Sequence, residues 1–205
     1  MRRFFSVRAT LHSSPERSFP LTVDIPARSF SPLCRTNIHV MDTTEMPATT
    51  ANFVTKDAVA TAIPTDERLW VPQAPNVWFR PLLFNTVNGE WVNLLRVRKS
   101  GMLNRHRHPA PVHGYVLKGS WRYLEHDWVA REGMYVFEPP GEVHTLTVDE
   151  GQEMQTLFHV LGALIYVDEN GKAIGYDDVH TKIALCRRHF AQAGLGADYV
   201  DQFVR

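Results

Sequence analysis

Two histidines two residues apart, His106 and His108, are the residues of this sequence whose type and spacing most directly suggest chemistry. In an extended strand, side chains alternate between faces. Both imidazoles then fall on one side, Arg107 falls on the other, and two nitrogen ligands can share one metal ion. The chain has ten histidines, and four of them, His106, His108, His113 and His126, lie within about two strand lengths. A lone His-x-His is common among surface and core histidines and identifies nothing by itself. A second segment adds weight. From Gly133 to His144 the sequence reads as a short strand between two turns, and a histidine arrives directly after the bend at Pro139, Pro140 and Gly141.

Such residues need a rigid framework. From Trp78 onward, short runs of aliphatic and aromatic residues are punctuated by Gly, Pro and Asn-Gly turns, which predicts about eight to ten strands of an all-β sandwich or barrel. Asn88-Gly89 between Leu82–Val87 and Trp91–Arg98 is the strongest hairpin signal, and Lys118-Gly119 and Asp168–Gly171 mark two further turns. The period then changes. Val179, Ile183, Cys186 and Phe190 recur at three or four residues, so a short C-terminal helix is expected over about residues 177–190, packed on the barrel or on a partner. Arg187 and Arg188 would complement the dipole at its end.

Residues 1–50 show no sustained periodicity and are rich in Ser, Thr, Pro and Arg, which predicts a disordered or leader extension followed by one domain over residues 51–205. Arg2, Arg3, Arg8 and Arg17, with a first acid only at Glu16, fit a mitochondrial presequence, whereas a start at Met41 or Met46 would fit a cytoplasmic bacterial protein. Lys plus Arg and Asp plus Glu both total 22, so no net field favours nucleic acid or acidic membranes, and no apolar run is long enough to span a bilayer. Cys34 and Cys186 suggest neither a disulfide framework nor a cysteine zinc site, and a reducing compartment fits best.

The spacing of the second segment resembles the cupin superfamily. Gly133, Pro139, Gly141 and His144 stand where the second cupin motif has Gly, Pro, Gly and His, although the Asn that usually follows is replaced by Val148. Gly101, His106, His108 and Gly119 fit the first motif, with His113 at the position of its glutamate. The resemblance implies an all-β cupin fold, a double-stranded β-helix or jelly-roll barrel, holding one divalent metal through His106, His108 and His144. The usual glutamate ligand is absent from its position. Glu125, at the end of the next strand, is a possible fourth ligand or a partner that orients a histidine, and His113 competes for that role. A neutral three-histidine site leaves coordination positions open and keeps the full positive charge for an anionic substrate and dioxygen.

The stretch from Asn104 to His144 resembles more closely the 2,4'-dihydroxyacetophenone dioxygenase family, most distinctively in the run from Tyr123 through Glu125, His126 and Asp127 to Trp128. That resemblance implies a non-haem iron(II) enzyme that splits an aromatic α-hydroxyketone with dioxygen into 4-hydroxybenzoate and formate. A base is needed for the substrate's proton, and Glu125, His113 or hydroxide on the metal are the candidates. Tyr115, Trp121, Tyr123 and Phe137, with Trp128, could form the aromatic slot or be ordinary core residues. Alternation puts Trp121, Tyr123 and Glu125 on one face. Arg96 and Arg107 could meet a phenolate or carboxylate, or lie solvated outside, while His159, His180 and His189 fall outside both motifs.

Two alternatives stay open. One is a dioxygenase of a β-diketone or other small ketone. The other is a zinc-binding sensor of the anti-sigma-factor type, which the same resemblance reaches and which predicts a separate helical partner-binding domain. The dioxygenase readings imply a small ketone and dioxygen as partners, and the fold implies a homodimer or homotetramer.

Overall fold

The computed structural model describes residues 55–99 and 101–205. The expected extension at residues 1–50 and Cys34 lie outside them. Among the described residues twelve strands form, more than the turn signals alone predict: β1 (Val71–Ala74), β2 (Val77–Asn85), β3 (Glu90–Arg98), β4 (Met102–Arg107), β5 (Val112–Lys118), β6 (Ser120–Tyr123), β7 (Ala130–Arg131), β8 (Tyr135–Glu138), β9 (Val143–Thr147), β10 (Glu153–Leu161), β11 (Ala163–Val167) and β12 (Ala173–Asp178). They make two antiparallel six-stranded sheets, ordered β1-β2-β3-β10-β5-β8 and β12-β11-β4-β9-β6-β7. This is the expected cupin barrel.

Inward positions of both sheets supply the core. Phe79, Phe84, Trp91, Leu95, Trp121, Tyr123, Leu146, Met154 and Phe158 are all buried, each side chain of this size contributing about 1.5–3 kcal/mol when removed from water. The Asn85–Glu90 turn closes the β2–β3 hairpin, with the Asn85 side chain accepting hydrogen bonds from the Val87 and Asn88 amides at 3.1 and 3.2 Å. At Gly119 the chain leaves one sheet for the other. Its φ of +71° is left-handed, and a Cβ there would stand 2.0 Å from the Glu153 carbonyl oxygen, so only glycine fits this corner. Asp168 Oδ1 accepts from the Asn170 and Lys172 amides, both at 2.9 Å, and shapes the expected turn between β11 and β12.

Two expectations change at the ends of the barrel. Strand structure begins at Val71 rather than Trp78, because a 3-10 turn at Glu67–Leu69 positions Trp70 against Arg96. Arg96 is accordingly not a solvated or substrate-facing residue. Its guanidinium lies 4.1 Å from the centre of the Trp70 ring and 5.1 Å from that of Trp78, and it bonds Glu67 at 2.6 and 3.1 Å. The C-terminal helix α1 runs from Val179 to Gln192, two residues later than the sequence period suggests. Asp177 and Asp178 complete β12, and Asp178 forms a capping box with Thr181. Val179, Cys186 and Phe190 face the barrel as expected, together with Lys182. Arg187 pairs with Asp201 of the following 3-10 segment, Ala197–Phe203. No helix among the described residues is long and apolar enough to cross a membrane.

Candidate metal centre

β4 and β9 pair so that His106 stands directly opposite His144, and His108 follows one residue beyond the end of β4. All three are buried, and their ligand nitrogens lie within 4.8 Å of one another. Ring centres are 4.9 Å apart for His106 and His108, 4.7 Å for His106 and His144, and 5.5 Å for His108 and His144. The backbone sets the tautomers. His106 Nδ1 is 2.7 Å from the Asn104 carbonyl oxygen and His108 Nδ1 is 3.0 Å from that of Ala163. A backbone carbonyl can only accept, so Nδ1 carries the hydrogen in both rings and each Nε2 keeps a free lone pair. Gly141 N–H donates to the His108 carbonyl at 2.8 Å, tying the bend before His144 to the first histidine pair.

His144 lies flat on Tyr123, with ring centres 4.0 Å apart and planes 8° apart. Neither of its buried ring nitrogens has a hydrogen-bond partner among the described residues, an arrangement that costs about 1–3 kcal/mol if nothing else satisfies it. Three imidazoles with free nitrogens directed at one another fit a divalent ion, and the orphaned His144 supports that fit. Burial, followed by the neighbouring His108 and His144, holds His106 well below the usual imidazole pKa. Burial likewise lowers His144, partly offset by Glu138. Both rings are therefore kept in the neutral, ligating form.

The carboxylate beside the histidines is Glu138, which the sequence reading passed over. It is buried at the end of β8, on the opposite sheet, with Oε2 3.3 Å from His108 Nε2 and 3.5 Å from His144 Nε2. Tyr123 donates its hydroxyl to Glu138 Oε1 at 2.5 Å. Burial, with Glu138 alongside, raises the Tyr123 pKa well above the usual phenol value, so Tyr123 stays a donor. One signal could have found Glu138. Strand alternation puts it on the same face as buried Val136, while Tyr135 and Phe137 face outward.

The same alternation moves other expected site residues away. Glu125 does not face the histidines. It lies past the end of β6, where the strand parity of Trp121 and Tyr123 no longer applies, and accepts from Thr145 N at 2.7 Å and Thr145 Oγ1 at 2.9 Å. His113 lies on the outer face of β5, 2.7 Å from Tyr135 Oη and stacked beside His159. Tyr115 and Phe137 are about half exposed on that outer face, since the inward positions of β5 are Val112, Gly114 and Val116. Of the four expected pocket aromatics, only Tyr123 lines the cavity next to the histidines. Trp121 is buried behind it, with ring centres 5.1 Å apart, and packs on Phe158 and Trp128. Outside the centre, His159 pairs with Glu90 at 2.9 Å, and His189 Nε2 lies 2.9 Å from the Arg68 carbonyl oxygen.

The cavity has a volume of about 40 Å³. Its walls combine apolar side chains, among them Trp91, Val112, Phe158 and Val160, with His106, His108, Tyr123, Glu138, Asn93, Gln73 and Lys182.

Barrel and site together define a cupin. More narrowly, the chain belongs to the family described as the ChrR cupin-like domain, which matches residues 58–165. Among solved structures, it is similar to an RmlC-like cupin protein from Ralstonia eutropha, with 32% identity over 62% of this chain and 83% of that one and a TM-score of 0.58. A protein of unknown function with a cupin-like fold, also from Ralstonia eutropha, is 22% identical over 69% of this chain and 91% of its own, with a TM-score of 0.59. An acetylacetone dioxygenase from Acinetobacter johnsonii shares the fold at 18% identity over 64% of this chain and 94% of its own, with a TM-score of 0.56. No curated protein matches the sequence.

Proposed function

We propose that this protein is an iron(II)-dependent dioxygenase that cleaves a carbon–carbon bond of an aromatic α-hydroxyketone, with His106, His108 and His144 as the metal ligands. The observation that carries this reading is the convergence of three buried imidazoles, two of which, His106 and His108, have Nε2 freed by backbone carbonyls and line a largely apolar cavity. Iron(II), when bound, supplies the positive charge that holds the ketone and hydroxyl oxygens, acidifies the substrate and admits dioxygen. The chain's own residues do the rest. Glu138, beside two ligands, replaces Glu125 and His113 as the base for the substrate's proton, or completes the ligand set. Tyr123 fixes that carboxylate with its hydroxyl, and Trp91, Val112, Phe158 and Val160 exclude water from the reacting oxygens.

A second reading is favoured by volume. About 150 Å³ of apolar interior accommodates a benzene ring, whereas this cavity measures about 40 Å³. A small β-diketone therefore enters with less displacement of the wall than an aromatic ketone does. The acetylacetone dioxygenase likeness gives that substrate class a place in the test. Anaerobic loading with iron(II), followed by oxygen uptake on adding either 2,4'-dihydroxyacetophenone or acetylacetone, decides between them. Uptake matched by 4-hydroxybenzoate and formate supports the first reading, and uptake with acetylacetone alone supports the second. Tight zinc binding with no turnover on any ketone would contradict both and favour a non-catalytic metal-binding module.

A further inference from the structure

The cavity carries a second polar group set that the histidine chemistry does not use. Lys182 projects from the barrel-facing stripe of α1, is 2% exposed, and lines the cavity together with His106 and Gln73. Its Nζ lies 3.5 Å from Asp177 Oδ2 and 4.3 Å from the centre of the Phe79 ring. Asp177 Oδ2 also accepts the Tyr166 hydroxyl at 2.7 Å and Gln73 Nε2 at 3.5 Å, while Gln73 Nε2 is 3.2 Å from Tyr166 Oη. The Tyr166 ring in turn lies 6.3 Å from that of His106. An ammonium has three N–H donors, and among the described residues Lys182 has one long ion pair and an aromatic face to meet them. Its partner's charge is shared with two other donors.

A buried cation is costly, and an apolar residue of similar length would fill the same helix stripe without that cost. Packing alone therefore gives no reason for a lysine here. The position also falls beyond the matched residues 58–165, so α1 supplies to the cavity something the matched segment does not.

We propose that Lys182, with Gln73 beside it, binds a negatively charged oxygen of the substrate, a carboxylate or an ionised hydroxyl, in the part of the cavity next to His106. This rests on the dioxygenase reading in that the anion belongs to the same substrate, whose ionised hydroxyketone or diketone carries one such charge. In a partly buried cavity, where the effective dielectric is lower than in water, a cation within a few ångströms favours an anion over a neutral ligand of the same shape. Asp177 limits the attraction, and Gln73 adds a neutral donor to the same oxygen by exchanging one of its two Nε2 bonds, the long one to Asp177 at 3.5 Å, for the substrate.

The test uses acetate and its neutral isostere acetamide as probes, with binding followed by nuclear magnetic resonance on the full chain, metal-free and zinc-loaded. Wild-type protein is expected to prefer acetate by about tenfold in the metal-free form, the scale of one charge-assisted hydrogen bond. Lys182→Met is expected to abolish that preference, and Lys182→Arg to keep it. Gln73→Leu, on β1 rather than the helix, weakens it and gives the answer independently if Lys182→Met does not fold. An equal preference in wild type and Lys182→Met, or none in wild type, would overturn the proposal. A preference that depends on Lys182 in a protein that binds no metal would support this subsite while overturning the metal reading.

Discussion

Tyr123→Phe removes one oxygen atom and leaves the ring stacked on His144, so it isolates the hydroxyl that holds Glu138. Both partners are nearly inaccessible, Tyr123 at 2% and Glu138 at 3% exposure, so the lost donor is not replaced by bulk solvent. A hydrogen bond to a charged group contributes about 1.5–3 kcal/mol, and a stranded buried acceptor pushes the cost towards the upper end. For a domain of this size each kcal/mol moves Tm by roughly 2–4 °C, so thermal unfolding of the metal-free variant should fall by about 3–12 °C. Zinc affinity should fall at least about tenfold, because Glu138 no longer has a fixed position beside His108 and His144. A double-mutant cycle with Glu138→Gln, followed by circular dichroism and by zinc titration, assigns the effect to the pair. A Tm drop under about 1 °C, or single-variant losses that add to within about 0.5 kcal/mol, would refute the reasoning.

Lowering the pH should destabilise the metal-free protein. His106 and His144 are both held below the ordinary imidazole value of 6.5 by burial, so below that pH the unfolded chain takes up protons that the folded chain refuses. Stability is full above about pH 7 and falls as the pH drops, by at most about 1.4 kcal/mol per pH unit for each histidine. Urea midpoints that stay flat down to about pH 5 would contradict this. Gly119→Ala combines a left-handed φ of +71° with a 2.0 Å clash on the Glu153 carbonyl, whereas Gly133→Ala, at +83°, meets open space. The first should cost roughly 3 kcal/mol or more and the second about 1–2 kcal/mol, and equal urea midpoints would contradict the difference. Val160→Ala removes part of the cavity wall. It should shift the kcat/KM ratio of an aromatic hydroxyketone to a small diketone upward by about tenfold, and an unchanged ratio would place the substrate's large end elsewhere.

Strand periodicity and turn chemistry made the barrel legible, and motif spacing brought out His106, His108 and His144. The errors came where local rules end. Extending the alternation of Trp121 and Tyr123 puts Glu125 on their face, but the fold uses those residues as a turn, where the carboxylate instead meets the Thr145 amide and hydroxyl. Tyr115 and Phe137 read as pocket residues by character, although alternation through Val112, Gly114 and Val136 sends them outward. Glu138 was within reach of that same rule but stood in a stretch read only for its glycines, prolines and histidine. Lys182 was not legible. Its meeting with His106 and Gln73, both more than seventy residues away in the chain, depends on how the helix docks on the barrel, and no local spacing encodes that.

The central claim is that His106, His108 and His144 hold one divalent ion as the working centre of the cavity. Anaerobic iron(II) titration of the wild type and of five single variants tests it most directly. One iron per chain is expected for wild type, Glu125→Gln and His113→Ala, with the iron lost in His106→Ala, His108→Ala and His144→Ala. Full binding in any of the last three variants, or loss in either Glu125→Gln or His113→Ala, would contradict the account.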